Sequence, residues 1–316
     1  MAAPRRDTKG IVDAAELFSH VRFRRREPAE PLRPYLEHYW LIDWDLPKPY
    51  ASHVVPHPSV NVVFQFQRSE APAGSGDLDG PDGSDCPDGP DGHDDAGAPG
   101  APGAPGASDA PGTSPADGFG EVAGIGLELF TKKLEGVGRA CGVQFRPGGF
   151  RPFAPARPVS DWTGRQLPLD EVFPAGAVDG AAQAVLAPDD EDARVAALDA
   201  FLLSLGPQPD PQADLAMALV DRVRTDRSMR RVDQLARTEG LSTRSLQRLF
   251  SAYVGVGPKW VILRYRIHDA LDVAESGTAV DWAAVAADLG YADQAHLVRD
   301  FTSTVGVPPT AYAAGA

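Results

Sequence analysis

Two short segments near the carboxyl end carry the polar side chains best suited to recognising another molecule. The candidate recognition residues are Thr243, Arg244, Gln247 and Arg248 in one segment and Gln294, His296 and Arg299 in the other. An arginine can donate two hydrogen bonds to the edge of guanine, and glutamine pairs in the same way with adenine. These side chains are therefore suited to reading base pairs, provided that the fold holds them on exposed faces.

The two segments belong to an internal repeat. The pattern SxxxLxRxF followed by GVxP at residues 242–258 recurs, 51 residues later, as DxxxLxRxF followed by GVxP at residues 293–309. Upstream of it, Leu235-Ala236 and Gly240 recur after 50 residues as Val285-Ala286 and Gly290. A match of this kind within one chain indicates a duplicated structural unit.

Each copy predicts a helix-turn-helix unit. A short helix, Val232 to Thr238 or Trp282 to Leu289, ends at a glycine suited to a left-handed cap, and Ser242 or Asp293 can then cap the next helix. In that next helix the apolar side chains share one face and leave the candidate recognition residues on the other; they are Leu246, Leu249 and Phe250, or Leu297 and Phe301. Such units place their second helix in the major groove of DNA.

The segment between the copies predicts one long helix from Pro258 to Leu271, with the proline in its first turn. Its predicted packing face consists of Trp260, Leu263, Ile267 and Leu271. This linker helix would hold the two recognition helices apart, and a separation of about 34 Å would let them enter successive major grooves. Arg264 on the linker is a candidate for contact with phosphate.

Charge is distributed unevenly along the chain. The 316 residues carry 30 Lys+Arg and 44 Asp+Glu, a net charge of -14 that argues against a nucleic-acid binder when taken whole. From Arg222 to His268, however, 11 basic residues face 3 acidic ones, a balance of +8, whereas the chain from Asp269 onward carries -6. We therefore expect the first copy to supply most of the attraction to phosphate and the second to be the weaker contact.

Most of the negative charge lies in one insertion, residues 69–118, which contributes 11 acids and no Lys or Arg. It has almost no large apolar side chains, so we expect it to be disordered. Two interpretations stay open: a spacer, or an acidic segment that competes with DNA for a basic groove.

The chain before the repeat divides into a β-rich front and a helical connector. Residues 59–67, 121–127 and 140–145 predict short strands, punctuated by glycine and by Pro47, Pro49, Pro56 and Pro58. From about Asp189 the apolar period is helical, with Leu198, Phe201, Leu202 and Leu205 on one stripe and Leu215, Leu219 and Val223 on the next. The predicted fold is α+β: a barrel-like β-rich domain (1–188) containing the insertion, a helical connector (189–229) and an all-α domain (230–316) with two helix-turn-helix units joined by the linker helix.

Residues 230–312 resemble the AraC/XylS family of bacterial transcription regulators, in the strings LSTRSLQRLFSAYVGVGPKW and LGYADQAHLVRDFTSTVGVPPTAY. The resemblance implies a sequence-specific, cytoplasmic regulator that binds double-stranded DNA, whose base contacts fall on Arg244, Gln247 and Arg248 and on Gln294, His296 and Arg299. It also implies a front domain that binds an effector or dimerises, and RNA polymerase as a partner if the protein activates. Leu297 stands where the family often has an aromatic residue.

The front part offers weaker candidates. Trp40, Asn61 and Arg146 are candidate effector-binding residues, among many aromatics that we expect to be mostly core. His53 and His57 lack a third ligand at metal-site spacing, so we predict no metal, no cofactor and no membrane segment. An alternative is an enzyme whose cupin-like or alkyl-transfer front domain is targeted to DNA. It would resemble DNA-alkylation repair proteins, which need a nucleophilic cysteine; the chain has only Cys86 and Cys141. A third alternative is an interaction module that does not bind DNA.

Overall fold

The computed structural model describes residues 11–12, 14–68, 114, 117–276 and 280–315. Nearly all of the insertion lies outside the described residues, so its predicted disorder stays a prediction. The predicted α+β class is confirmed, because an antiparallel sheet in the front part is followed by helices to the end of the chain.

Seven strands form one antiparallel sheet in the front domain. They are β1 (Ile11–Val12), β2 (Val21–Arg26), β3 (Leu36–Val54), β4 (Asn61–Arg68), β5 (Phe119–Ala123), β6 (Phe130–Phe145) and β7 (Gln166–Pro168). The strand order is β1-β3-β6-β4-β5-β7, and β2 also pairs with β3. In the part of the chain that the structure describes, no pairing joins the two ends of this order.

Strand β3 is much longer than the sequence suggests, because it continues through Pro47 and Pro49. Its register with β6 shifts between Leu46 and Tyr50, where the two prolines lie. Proline cannot donate to a ladder, so it is tolerated in strands at such irregularities. The prolines that we expected to punctuate the region before the strands therefore mark an irregularity within one.

Strands β4 and β5 are antiparallel neighbours, with Val62 opposite Val122 and Gln65 opposite Phe119. The two strands on either side of the insertion therefore form an antiparallel pair. The residues that flank it, Arg68 and Phe119, are the last of β4 and the first of β5.

Twelve helices are described. They are α1 (Ala14–His20), α2 (Leu169–Val172), α3 (Ala175–Val178), α4 (Ala181–Leu186), α5 (Glu191–Ser204), α6 (Pro211–Thr225), α7 (Val232–Thr238), α8 (Thr243–Leu249), α9 (Pro258–Ala274), α10 (Trp282–Asp288), α11 (Gln294–Val305) and α12 (Pro309–Gly315). After the sheet, helices begin at Leu169, earlier than the change expected near Asp189. The sequence does not indicate α2 to α4, because helices of four to six residues are too short to show an apolar period.

The connector helix α5 is fastened to the sheet by one buried arginine and by partly buried charged groups. The Arg194 side chain, 1% exposed, donates from Nη1 to both carboxylate oxygens of Asp43 at 3.0 and 3.1 Å. Arg139 on β6 donates to the same carboxylate at 2.7 Å. Farther along α5, the Asp199 carboxylate accepts from the Tyr39 hydroxyl at 2.7 Å. Buried charges are costly without partners, so these contacts fix the connector against the sheet.

The apolar cores show how the parts are joined. One large cluster runs without interruption from the sheet, through α5 and α6, to Leu246, Phe250 and the start of α9. A second cluster contains the end of α9 and the helices α10 to α12, with Val55 from the front domain. A third, smaller cluster packs α1 on the other face of the sheet, around Trp44. The first helix-turn-helix unit is therefore part of the main core, and the second has a core of its own.

Candidate nucleic-acid interface

The two repeat copies fold alike. Helices α7 and α10 each span seven residues and end before a glycine in the left-handed region, Gly240 at φ 66° and Gly290 at φ 76°. The next residue in each copy donates its amide back across the turn, Leu241 to Ala236 and Tyr291 to Ala286, both at 2.9 Å. This pair of features is the Schellman arrangement expected of a glycine-terminated helix.

The second helix of each copy is capped and buried as the sequence predicts. Ser242 accepts from the Ser245 amide at 3.0 Å, and Asp293 accepts from the His296 amide at 2.7 Å. The apolar face of each helix is buried, at Leu246, Leu249 and Phe250 in the first copy and at Leu297, Phe301 and Val305 in the second. Both helices reach a left-handed glycine, Gly255 at φ 90° and Gly306 at φ 86°.

The first recognition helix runs from Thr243 to Val254, where its last five residues form a π-helical turn. Four candidate recognition residues lie on its exposed face: Thr243, Arg244, Gln247 and Arg248. Arg244, Gln247 and Arg248 also line an open groove of about 420 Å³, together with Ser251, Ala252 and Pro158. The structure thus brings the first set of candidates together on one accessible surface.

The second recognition helix is α11, which is α-helical throughout. Gln294 and Arg299 are exposed, whereas His296 is half-buried. The His296 ring lies edge-on to Tyr291 at 5.1 Å, and its Nε2 is 3.6 Å from the Asp300 carboxylate. Gln294 and Arg299 are therefore freer to meet a partner than His296.

The local charge of +8 overstates the positive surface. Eight of the 11 bases between Arg222 and His268 are engaged within the protein: Arg222, Arg224, Arg227, Arg231 and Arg237 form ion pairs with acids, and Arg230, Arg264 and Arg266 donate to backbone carbonyls. Arg244, Arg248 and Lys259 have no ion pair or hydrogen bond within the described residues. The free cations of this segment therefore lie on or beside the first recognition helix.

The expectation that Arg264 meets phosphate is wrong. Its side chain is 6% exposed, donates to the Leu127 carbonyl of the front domain at 3.2 Å and stacks on the Trp260 ring at 4.4 Å. Burial lowers the pKa of the Arg264 guanidinium to about 10. The physical reason is that the linker helix is enclosed on nearly all sides, not only on the predicted face, so a guanidinium on it cannot reach a duplex.

Sequence reasoning missed the contacts between the front domain and the first recognition helix. Thr163 donates from Oγ1 to the Gly255 carbonyl at 2.7 Å, and the Ser251 hydroxyl donates to that of Ser160 at 3.1 Å. Tyr253 in the π-helical turn donates to Asp210 at 2.8 Å. These partners lie between 43 and 92 residues apart in the chain, so no local sequence pattern predicts the contacts.

The candidate effector-binding residues are only partly brought together. The Trp40 indole of β3 donates to the side-chain oxygen of Asn61 on β4 at 3.4 Å, and its ring covers Gly142 of β6, the strand between them. Arg146 instead donates to Asp221 of α6 at 2.5 Å and to the Pro34 carbonyl at 3.0 Å. Arg146 thus joins the front domain to the connector.

The histidines and Cys141 offer little chemistry. His53 lies 3.0 Å from the Thr131 hydroxyl and His57 lies 2.8 Å from that of Ser59; within the described residues no group of three or more His, Cys, Asp or Glu could hold a metal. Burial raises the pKa of the Cys141 thiol to about 11, which disfavours the nucleophilic thiolate. Cys86 lies outside the described residues. None of the helices in the described ranges combines the length and apolar character needed to span a membrane.

Residues 235–315 match the model of a helix-turn-helix domain, and residues 24–168 match a domain of unknown function (DUF6597). No curated protein matches the chain. Among solved structures, the C-terminal domain of AraT, a response regulator from Geobacillus stearothermophilus, is 20% identical, covering 31% of this chain and 85% of that one with a TM-score of 0.29. ToxT from Vibrio cholerae is 8% identical, covering 94% and 98%, with a TM-score of 0.38. Structural similarity at this level does not indicate which ligands or partners this chain binds.

The duplicated units, the linker helix and the match over residues 235–315 define an AraC-type helix-turn-helix domain at the carboxyl end. The carboxyl-terminal part of the chain is thus a DNA-binding helix-turn-helix domain, and the front part matches a family without an assigned function.

Proposed function

We propose that the protein reads a specific operator with both recognition helices, which enter successive major grooves on one side of the duplex. The observation that carries this proposal is the shared geometry of the two units, each with a capped helix that presents polar side chains on its exposed face. Arg244, Gln247 and Arg248 are the proposed base-reading residues of the first unit. Thr243 stands at the start of that helix, where a hydroxyl can meet a base or phosphate.

In the second unit, Gln294 and Arg299 are the proposed contacts, with His296 in a lesser role because Tyr291 and Asp300 hold its ring. The first unit supplies more of the attraction to the phosphates, since three free cations lie on or beside its recognition helix and Arg299 is the unpaired base of the second. Phosphate contacts of this kind set affinity, whereas base contacts set specificity.

The front domain controls the helical domain through the contacts that hold the first recognition helix. Thr163 and Ser160 bind its carboxyl-terminal end, and Arg264 ties the linker helix to Leu127. A ligand that changes the sheet can shift the population able to bind DNA only if it binds the two states with different affinity. Trp40 and Asn61, half-buried and in contact, are the proposed part of such an effector site.

Other proposed partners follow from the function alone. A homodimer would double the number of recognition helices, and RNA polymerase would be the target if the protein activates. The cytoplasm, where bacterial chromosomal DNA lies, is the proposed location. We propose no catalytic activity, since Cys141 is buried with a raised pKa and so does not suit the alkyl-transfer alternative.

Selection of bound duplexes from a random library, followed by hydroxyl-radical footprinting, tests the proposal. Two protected patches, centred about 10–10.5 base pairs apart on one face of the duplex, are expected from two units in successive grooves. The Gln294→Ala variant is the matched control, because it should weaken one patch and leave the other. A single patch, or binding without sequence preference, would contradict the proposal.

A further inference from the structure

A segment of the front domain lies directly beside the first recognition helix. This flanking segment, residues 151–165, contains two short helical turns, Arg151–Phe153 and Val159–Trp162. Val159 and Trp162 are buried in the main core, and Ser160 and Thr163 bind Ser251 and Gly255 at the end of the recognition helix. The segment is therefore held in a fixed position relative to the side chains that are proposed to read bases.

The groove along the recognition helix is shared between the two domains. Arg244, Gln247 and Arg248 line one side of it, and Pro158 of the flanking segment lines the other. An object that lies on the exposed face of the recognition helix must also approach Pro158. A duplex is such an object, because a helix in the major groove is bordered by the phosphates of the two strands.

Arg157 immediately precedes Pro158, which lines this groove. Its side chain is exposed and has no ion pair or hydrogen bond within the described part of the chain. The other two arginines of the segment are engaged: Arg151 stacks on the Tyr253 ring at 4.6 Å, and Arg165 donates to the Asp161 carbonyl at 3.3 Å. With three arginines against Asp161, the segment carries a balance of +2.

We propose that Arg157 binds a backbone phosphate of the same duplex that the first recognition helix reads, so that the front domain is itself part of the DNA interface. An arginine guanidinium presents paired donors that match phosphate oxygens. This inference rests on the proposed function, since it assigns one more contact to the same surface. It also gives a reason for the rigid attachment of the segment, because a phosphate contact must keep its place relative to the base contacts.

Binding of the full-length Arg157→Gln variant to a selected operator, and to a scrambled duplex of equal length, tests the proposal between about 50 and 200 mM salt. We expect an affinity loss of about three- to tenfold on both duplexes and a slope of log K against log salt that is smaller by about 1. Arg157→Lys keeps the charge and should restore the slope. Arg24→Gln is the control, since Arg24 is an exposed arginine on β2, which lies at the opposite end of the sheet order from β7.

The outcomes separate the two proposals. If the wild-type protein binds no duplex, the proposed function itself fails. If it binds its operator while Arg157→Gln keeps the wild-type affinity and slope, the function stands and the phosphate contact is refuted. Tighter binding by Arg157→Gln, or a loss confined to the operator, would also overturn the proposal, because a phosphate contact strengthens binding to every sequence.

Discussion

The two helix-turn-helix units have the same local design and different surroundings. Both have a seven-residue first helix, a glycine turn, a capped second helix and a left-handed glycine at its end. The first unit shares the main core with the sheet and connector, whereas the second has a separate core around Trp282 and Phe301. The sequence repeat therefore determines the shape of each unit, and the neighbouring elements decide how strongly each is coupled to the front domain.

The end of the recognition helix shows the difference most clearly. In the second unit it is α-helical to Val305, but in the first it widens into a π-helical turn at Phe250–Val254. That turn carries Ser251 and Tyr253, which bind Ser160 of the front domain and Asp210 of the connector. Single π-helical turns within helices often occur at functional sites. Here the turn is the place where the front domain holds the first unit.

Truncating the central phenylalanine of each unit should show how differently the two units are coupled to the front domain. Phe250 and Phe301 are both fully buried, so truncation of either to alanine should leave a cavity. The cluster that contains the cavity should lose about 3–5 kcal/mol of its free energy of unfolding. Phe250→Ala should destabilise the sheet and connector as well, because they share its core. Phe301→Ala should leave them folded.

Hydrogen exchange read segment by segment measures this difference. Protection in β3, β6 and α5 should fall in Phe250→Ala and persist in Phe301→Ala. An equal loss of protection in the sheet for both variants would show that the two cores unfold as one.

The two helix-ending glycines make a second matched pair. A Cβ at either position would be strained by the left-handed backbone, by about 1–2 kcal/mol. At Gly255 it would also meet Thr163 Oγ1 at 2.9 Å, Val159 at 3.0 Å and Ile125 at 3.1 Å, whereas at Gly306 its one near neighbour is Leu129 at 3.2 Å. Gly255→Ala should therefore lower the free energy of unfolding more than Gly306→Ala does.

Urea denaturation gives both free energies of unfolding directly. A larger loss for Gly306→Ala would mean that the contact between the front domain and the first unit is not as close as the structure shows. Thr163→Val tests the same contact from the other side, because it removes the hydrogen bond to the Gly255 carbonyl and leaves the glycine backbone unchanged. It should also lower the free energy of unfolding.

The exposed Arg248 and the buried Arg264 form a third pair, for which we expect the smallest change, in the salt dependence of DNA binding. Arg248→Gln removes a free charge and should lower the salt dependence of DNA binding by about 1 in the slope, whereas Arg264→Gln should leave that slope unchanged, since Arg264 is buried against Leu127. Salt titrations of both variants on a scrambled duplex measure this. A reduced slope for Arg264→Gln would mean that the linker helix reaches phosphate after all.

Much of this organisation follows from local sequence. The repeat, the caps at Ser242 and Asp293 and the bounds of α7 could be predicted because turn and capping chemistry acts over a few residues. Strand β3 could not, since Pro47 and Pro49 look like a strand end until the pairing with β6 is known. The contact of Arg264 with Leu127 and the hydrogen bond from Thr163 to Gly255 each join residues more than 90 positions apart. The same holds for surface charge, because some of the groups that engage these arginines, such as Asp269 for Arg227 and Leu127 for Arg264, lie elsewhere in the chain.

We propose that the two units divide DNA recognition unequally, with the first as the main contact. Equilibrium binding of Arg244→Ala and Arg299→Ala to a selected operator and to a scrambled duplex tests it most directly. We expect Arg244→Ala to weaken binding to the operator by about 1–3 kcal/mol, to weaken binding to the scrambled duplex less, and to relax preference at one base position. Arg299→Ala should weaken binding to the operator by a smaller amount. A larger loss for Arg299→Ala, or equal losses on both duplexes for Arg244→Ala, would contradict it.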